Sequence, residues 1–354
     1  MTKPAELTAL TSVRGIAAWA VVAYHVRSAP AGLPPSVEAW LAKGYLAVDF
    51  FFLLSGFVIW LAWHERLREG RDIATFLQRR VARIWPLHVV MLGFGVALAT
   101  VLTLTGRADP ATFPPAELPL HLLLAQNWGF TAELTWNDPA WSISCELAAY
   151  VLFPLLVLAI DWRRVPSWAI LLAIAALFGL LHAIFASAGA LALGDQITLL
   201  GVIRCIMEFA AGGAVAALWQ RSRPMLAFPC MLIAVALLAS GGPETLVVPP
   251  AFAALLLALA LTSGLRGNPL SAGPLHALGE ASYATYLSHY LLWIAFKLAF
   301  VDDPQAVSWP LMTGYAALVL AASFALYPWV ERPAQGWING LRRRPSPAPS
   351  AAPR

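Results

Sequence analysis

Apolar runs of about twenty residues, joined by short polar links, occupy most of the chain. They fall at 8–27, 45–63, 84–105, 139–160, 166–188, 197–218, 225–240, 249–265, 280–300 and 308–329. A helix rises ~1.5 Å per residue, so a run of about twenty crosses the ~30 Å hydrocarbon core of a bilayer. Lipid offers the backbone no hydrogen-bond partner, so such runs must be helical. Of 354 residues, 60% are hydrophobic and only 12% charged, whereas soluble domains carry about 25% charged residues. The expected fold is an all-α polytopic membrane protein of about ten transmembrane helices. The run at 225–240 is the shortest.

Residues 1–340 read as one membrane domain with no visible internal repeat, and 341–354 as a disordered tail, basic and then rich in Pro, Ser and Ala. Arg14 interrupts what would be the apolar region of a signal peptide, so the first helix is expected to stay in the mature protein. Cys145, Cys205 and Cys230 lack CxxC spacing and read as small buried fillers. The net charge of +4 comes from basic residues clustered in loops, a pattern that does not suggest nucleic acid.

Loop charges set the orientation. One set of alternate loops holds Arg66, Arg68, Arg71, Arg79, Arg80, Arg83, Arg163, Arg164, Arg221, Arg223 and Arg266, with Lys3 and Arg342, Arg343 and Arg344 on the same side. The other set holds Arg27, Lys43 and Arg107 among acids such as Glu117, Glu133, Asp195, Glu244, Asp302 and Asp303. Ten spans with both termini cytoplasmic satisfy every loop.

This topology sorts the intramembrane polar residues by depth. Arg14 and His25 lie eleven residues apart in LTSVRGIAAWAVVAYHV, which returns them to nearly one helical face with a rise of ~16 Å. Charge within a membrane is costly, so both are candidates for function. Arg14 falls in the cytoplasmic half and His25 near the outer end. Asp49 and Glu146 are expected in the same outer layer as His25, with His289 just beneath, above Ser282, Tyr283 and Tyr286. On the cytoplasmic side, FLQRRVARIWP places Arg80 and Arg83, and Arg79 and Arg83, on one helix face. Asp138-Pro139 reads as an N-cap followed by a helix-opening proline.

Guanidinium groups suit phosphate oxygens. A phosphate-bearing donor docked on the inner arginines could extend a thin arm outward to a histidine that activates an acceptor hydroxyl. A coenzyme A thioester has that shape. Other roles fit some of these residues. The arginines at 79, 80 and 83 also suit a topology determinant, and Asp49 and Glu146 suit partners for Arg14 or Arg204. Arg204 and Glu208, spaced i,i+4, read as an internal ion pair, and His182 as a core histidine bonded to a neighbour.

The chain resembles the acyltransferase-3 family of integral membrane O-acyltransferases, which acylate bacterial surface polysaccharides and related acceptors. Six blocks match in order: VRGIAAWAVVAYH, GYLAVDFFFLLSGFVI, FLQRRVARIWPLH, QNW with WSISCE, SYATYLSHYLL and YPWVERPAQ. They span about residues 7 to 335. Departures are small: His88 stands where many members have tyrosine, and Leu147 where a second acid often follows the glutamate.

The resemblance implies acyl-CoA as donor, expected to be acetyl-CoA, with no metal. It implies His25 as catalytic base or acyl carrier, and Arg14, Arg80 and Arg83 as donor-binding residues. Asp49 or Glu146 would orient His25, as the acid does in a serine-protease triad. Tyr286, His289 and Trp141 would serve substrate or structure. The acceptor would be a carbohydrate or lipid-linked glycan at the outer face of the bacterial inner membrane. The chain ends soon after the tenth run, so a separate periplasmic partner could complete the transfer. A transporter or flippase is the competing class; it would move intact substrate and release no CoA thiol. A scaffold would have no need of a buried Arg and His.

Overall fold

A computed structural model describes residues 7–107, 109–265 and 267–341. The tail at 342–354, Lys3 and Arg266 lie outside the described residues. In chain order the helices are α1 (Thr8–Val26), α2 (Pro35–Leu41), α3 (Ala47–Arg68), α4 (Ile73–Leu104), α5 (Leu118–Leu122), α6 (Ala140–Ala159) and α7 (Ser167–Ser187). There follow α8 (Ile197–Trp219), α9 (Ala227–Ala239), α10 (Glu244–Thr262), α11 (Gly273–Glu280), α12 (Ser282–Phe300), α13 (Trp309–Leu326) and α14 (Arg332–Gly340). The described residues contain no strand. An isolated parallel bridge joins Pro30 to Val307. The protein is an all-α polytopic membrane protein.

Among the described residues, eight helical stretches are long and apolar enough to cross a membrane. Two of the ten expected runs differ. Residues 225–240 form the 13-residue α9 with a short lead-in turn. Helix α12 has full length, but its first half, SYATYLSHY, is too polar for that count. The third run also starts earlier than its apolar residues suggest, because α4 runs for 32 residues straight through Pro86. Its first turns, with Arg79, Arg80 and Arg83, extend the apolar segment as one helix.

Helices α3 and α8 cross at the centre and pack closest through small residues. A Cβ on Gly56 would run into the Phe209 carbonyl, and one on Gly212 into that of Leu53. In lipid, helix association depends on such close van der Waals packing. The crossing brings α3, with Asp49 and Ser55, against α8, with Arg204. Helix α6 packs on α3 and α8, while α1 lies against α12, α11 and α3. The polar residues singled out in the sequence therefore converge between α1, α3, α4, α6 and α12.

Candidate active site

Helix α1 carries half-buried Arg14 and His25 into two separate cavities. The histidine cavity is lined by Tyr24, His25, Arg27, Tyr45, Asp138 and Trp141, among others. His25 Nδ1 lies 3.0 Å from the Val21 carbonyl oxygen and 3.1 Å from Nε2 of His289 on α12. His289 Nδ1 lies 3.2 Å from the Thr285 carbonyl oxygen. A carbonyl only accepts, so the hydrogen-bond pattern assigns the His289 proton to Nδ1 and leaves Nε2 as an acceptor. His25 Nδ1 then holds the proton shared by its two acceptors. That leaves a lone pair on His25 Nε2, as a general base requires.

Asp138 is the carboxylate that acts on His25 electrostatically. Burial raises its carboxyl above the ordinary carboxylate range, while His25 pulls it back down. It is not the helix cap its sequence position suggests: Pro139 holds that place without a side-chain hydrogen bond. The backbone around Asp138 is pinned instead. Asn137 Nδ2 donates to the Leu287 carbonyl at 2.8 Å, and Ser142 Oγ to the Pro139 carbonyl at 3.1 Å. The preceding loop is tied by His88, whose Nε2 donates to the His121 carbonyl at 2.7 Å. His121 Nε2 meets Thr135 Oγ1 at 2.9 Å, and Thr135 donates to Glu117 at 2.7 Å. Burial, with His88 beside it, pushes His121 down to about 4, so it is neutral near pH 7.

The arginine cavity is lined by Arg14, Ser55, Arg80, Arg83, Glu146 and Tyr150, among others. Arg83 pairs with Glu331, which is buried at the end of a π-turn over Tyr327–Glu331. Its guanidinium lies 5.4 Å over the Tyr283 ring. Arg80 lies 5.9 Å over the Tyr150 ring, and its buried Nε has no hydrogen-bond partner among the described residues. Arg14 makes no ion pair or hydrogen bond among them, though it interacts electrostatically with Glu146. Two guanidiniums thus lack a paired carboxylate, which suits a polyanionic ligand. Arg79 is exposed, lying 5.3 Å over Trp63 rather than lining this cavity.

The structure therefore brings Arg14, Arg80 and Arg83 together and gives neither Asp49 nor Glu146 to His25. Glu146 accepts a hydrogen bond from Ser55 and faces the arginines. Asp49 is fully buried and takes a bidentate pair from Arg204, at 2.7 Å from Nε and 2.6 Å from Nη2. Arg204 also donates to the Leu193 carbonyl at 2.8 Å. A buried guanidinium needs a compensating charge, and the α3–α8 crossing supplies Asp49. The i,i+4 partner Glu208 is left buried, with neither carboxyl oxygen hydrogen-bonded among the described residues. His182 does bond a neighbour, Thr245, at 2.8 Å. Trp141 lines the histidine cavity with Arg204 stacked 5.5 Å over its ring.

Sequence reasoning missed Asp138, which reads locally as a cap, and the pairing of Glu331 with Arg83, which joins residues about 250 apart. The family-like block YPWVERPAQ was the available signal for Glu331.

The fold is that of a multi-pass membrane protein whose first helix sets Arg14 in one polar cavity and His25 in another. Residues 7–328 match the family model described as an acyltransferase domain, and the chain belongs to that family, acyltransferase-3. It is 32% identical to the acyltransferase MdmB of Streptomyces mycarofaciens, over 99% of this chain and 97% of that protein. It is 27% identical to the exopolysaccharide production protein ExoZ of Rhizobium meliloti, over 82% of this chain and 89% of that one. The O-acetyltransferase OatA of Staphylococcus aureus matches at 27% over 44% of this chain and 26% of its own length. No solved structure matches. The protein is an acyltransferase.

Proposed function

We propose that the enzyme moves an acyl group, acetyl in the first instance, from acyl-CoA to a hydroxyl of a carbohydrate or lipid-linked glycan. The observation that carries this reading is that Arg14 and His25, on one helix, open into two cavities that share Val48 and Tyr286 as wall. Donor phosphates would dock on Arg14, Arg80 and Arg83, with the thioester directed toward His25. The acceptor hydroxyl would enter the histidine cavity, where Tyr24, Tyr45 and Trp141 offer ring faces and Asp138 and Asp195 offer carboxylates for a sugar.

His25 Nε2 takes the hydroxyl proton as the oxygen attacks the thioester carbonyl. The C–S bond breaks, and the proton passes to the departing thiolate. Asp138 offsets the positive charge that His25 carries in between, and the Val21 carbonyl and His289 together hold the reactive tautomer. Likeness to ExoZ, an exopolysaccharide production protein, and to OatA, an O-acetyltransferase, supports a glycan acceptor and an acetyl group. The loop charges support a bacterial inner-membrane location, with the arginine cavity on the cytoplasmic side, ten spans and both termini cytoplasmic. A separate periplasmic protein could pass the acyl group onward.

The test is mass spectrometry of surface glycans with and without the protein, looking for a lost acyl mass. It is joined to an assay of free CoA thiol on adding acceptor. Movement of intact substrate without thiol release would instead make the protein a transporter.

A further inference from the structure

The two cavities meet at one seam on α6. Trp141 lines the histidine cavity, and the next residue, Ser142, lines the arginine cavity. Tyr286 of α12 lines both and reaches Ser142 at 2.7 Å between hydroxyl oxygens. Ser142 has a single hydrogen, which points to the Pro139 carbonyl. The Tyr286 hydroxyl therefore donates to Ser142. Both side chains are buried, and the Tyr286 ring is fixed from either side, edge-on to Phe51 at 5.8 Å and to His289 at 6.2 Å.

We infer that Tyr286, latched by Ser142, is the partition between donor and acceptor cavities. This rests on the donor and acceptor assignments proposed above. A membrane enzyme with a chamber toward each face must keep the two from joining into a water path. It must also keep a waiting thioester from water beside a base. One neutral hydrogen bond is a suitable latch, because its net worth is small enough to break at each turnover. Opening swings the Tyr286 hydroxyl off Ser142 and lets the acyl group pass.

Without the latch, water in the histidine cavity becomes the acceptor. Its oxygen attacks the carbonyl and His25 takes the proton. The C–S bond breaks, giving the carboxylic acid and free CoA thiol. Tyr286→Phe and Ser142→Ala should each raise thiol release from acetyl-CoA, with no acceptor present, by about fivefold, the effect of losing one such bond. Both remove the same bond, so the double variant should rise no further. A merely structural role would lower the rate. Unchanged or lower release in both single variants, with CoA binding by calorimetry intact, would overturn the inference.

A second measurement does not depend on CoA. Ser55→Cys, combined with Cys230→Ala, places a reporter thiol in the arginine cavity. In vesicles sealed with the His25 side outward, an impermeant sulfonated maleimide should label it several-fold faster once Tyr286 is replaced by Phe or Ala. Equal labelling in all three backgrounds would reject the partition. If wild-type protein bound no CoA but the labelling still changed, the donor assignment would fail and the partition would stand.

Discussion

His289 Nε2 approaches His25 Nδ1 at 3.1 Å, so the side chain that joins the Val21 carbonyl in orienting the candidate base is a second histidine, not a carboxylate. A neutral acceptor orients His25 without binding it as an ion pair. Gln can place an oxygen near the same point; Leu cannot. His289→Leu should lower kcat by ~100-fold while KM for the donor changes little, and His289→Gln should recover much of that loss. Equal activity of the Leu and Gln variants would refute the orienting role.

Among the described residues Arg14 and Arg80 have no paired carboxylate, whereas Arg83 is held by Glu331. Loss of a charge-assisted contact costs about 1.5–3 kcal/mol, or roughly ten- to a hundredfold in affinity. Arg80→Ala should therefore weaken CoA binding by about that factor, measured by calorimetry. Glu331→Gln should unsettle Arg83 and weaken binding less. Unchanged affinity in Arg80→Ala would leave the arginines as topology signals.

Asp138 is raised by burial, so it ionises later than an ordinary carboxylate as pH rises. Its support for protonated His25 is present above that raised pKa and is lost as pH falls through it. Activity should show an acid limb above the usual carboxylate range. Asp138→Asn should lower the rate and remove that limb. A limb that survives the substitution would belong to another group.

The Asp49–Arg204 pair is fully buried and bidentate. Removing one partner strands the other, at a cost of about 3–5 kcal/mol. Asp49→Ala or Arg204→Ala should sharply reduce thermal stability in detergent. Asp49→Leu with Arg204→Met should be more stable than either single change. Failure of the double variant to recover would point to a role beyond pairing.

His121 is held neutral down to about pH 4, against 6.5 for a free imidazole. The unfolded chain gains a proton first as pH falls, so this group costs the fold stability progressively between about pH 6.5 and 4. Relative to the intrinsic exchange rate at each pH, the amide protection of the loop before Asp138 should fall over that window. The fall should diminish in His121→Gln. Protection that is flat with pH would show the loop is held by other contacts.

Apolar run length and loop charge made the membrane helices legible in the sequence, because lipid leaves the backbone no alternative to a helix. The eleven-residue spacing of Arg14 and His25 likewise set one face of α1 before any neighbour was known. Helical periodicity also grouped Arg80 and Arg83. Partnerships were not legible, since they depend on how helices far apart in sequence cross. Glycines at the α3–α8 crossing gave Asp49 to Arg204, and the α1–α12 contact gave His25 to His289. A pinned turn carried Asp138 into the cavity where a cap had been expected. A sequence states which charges must be buried; only the packing of the helices decides which partner each one finds.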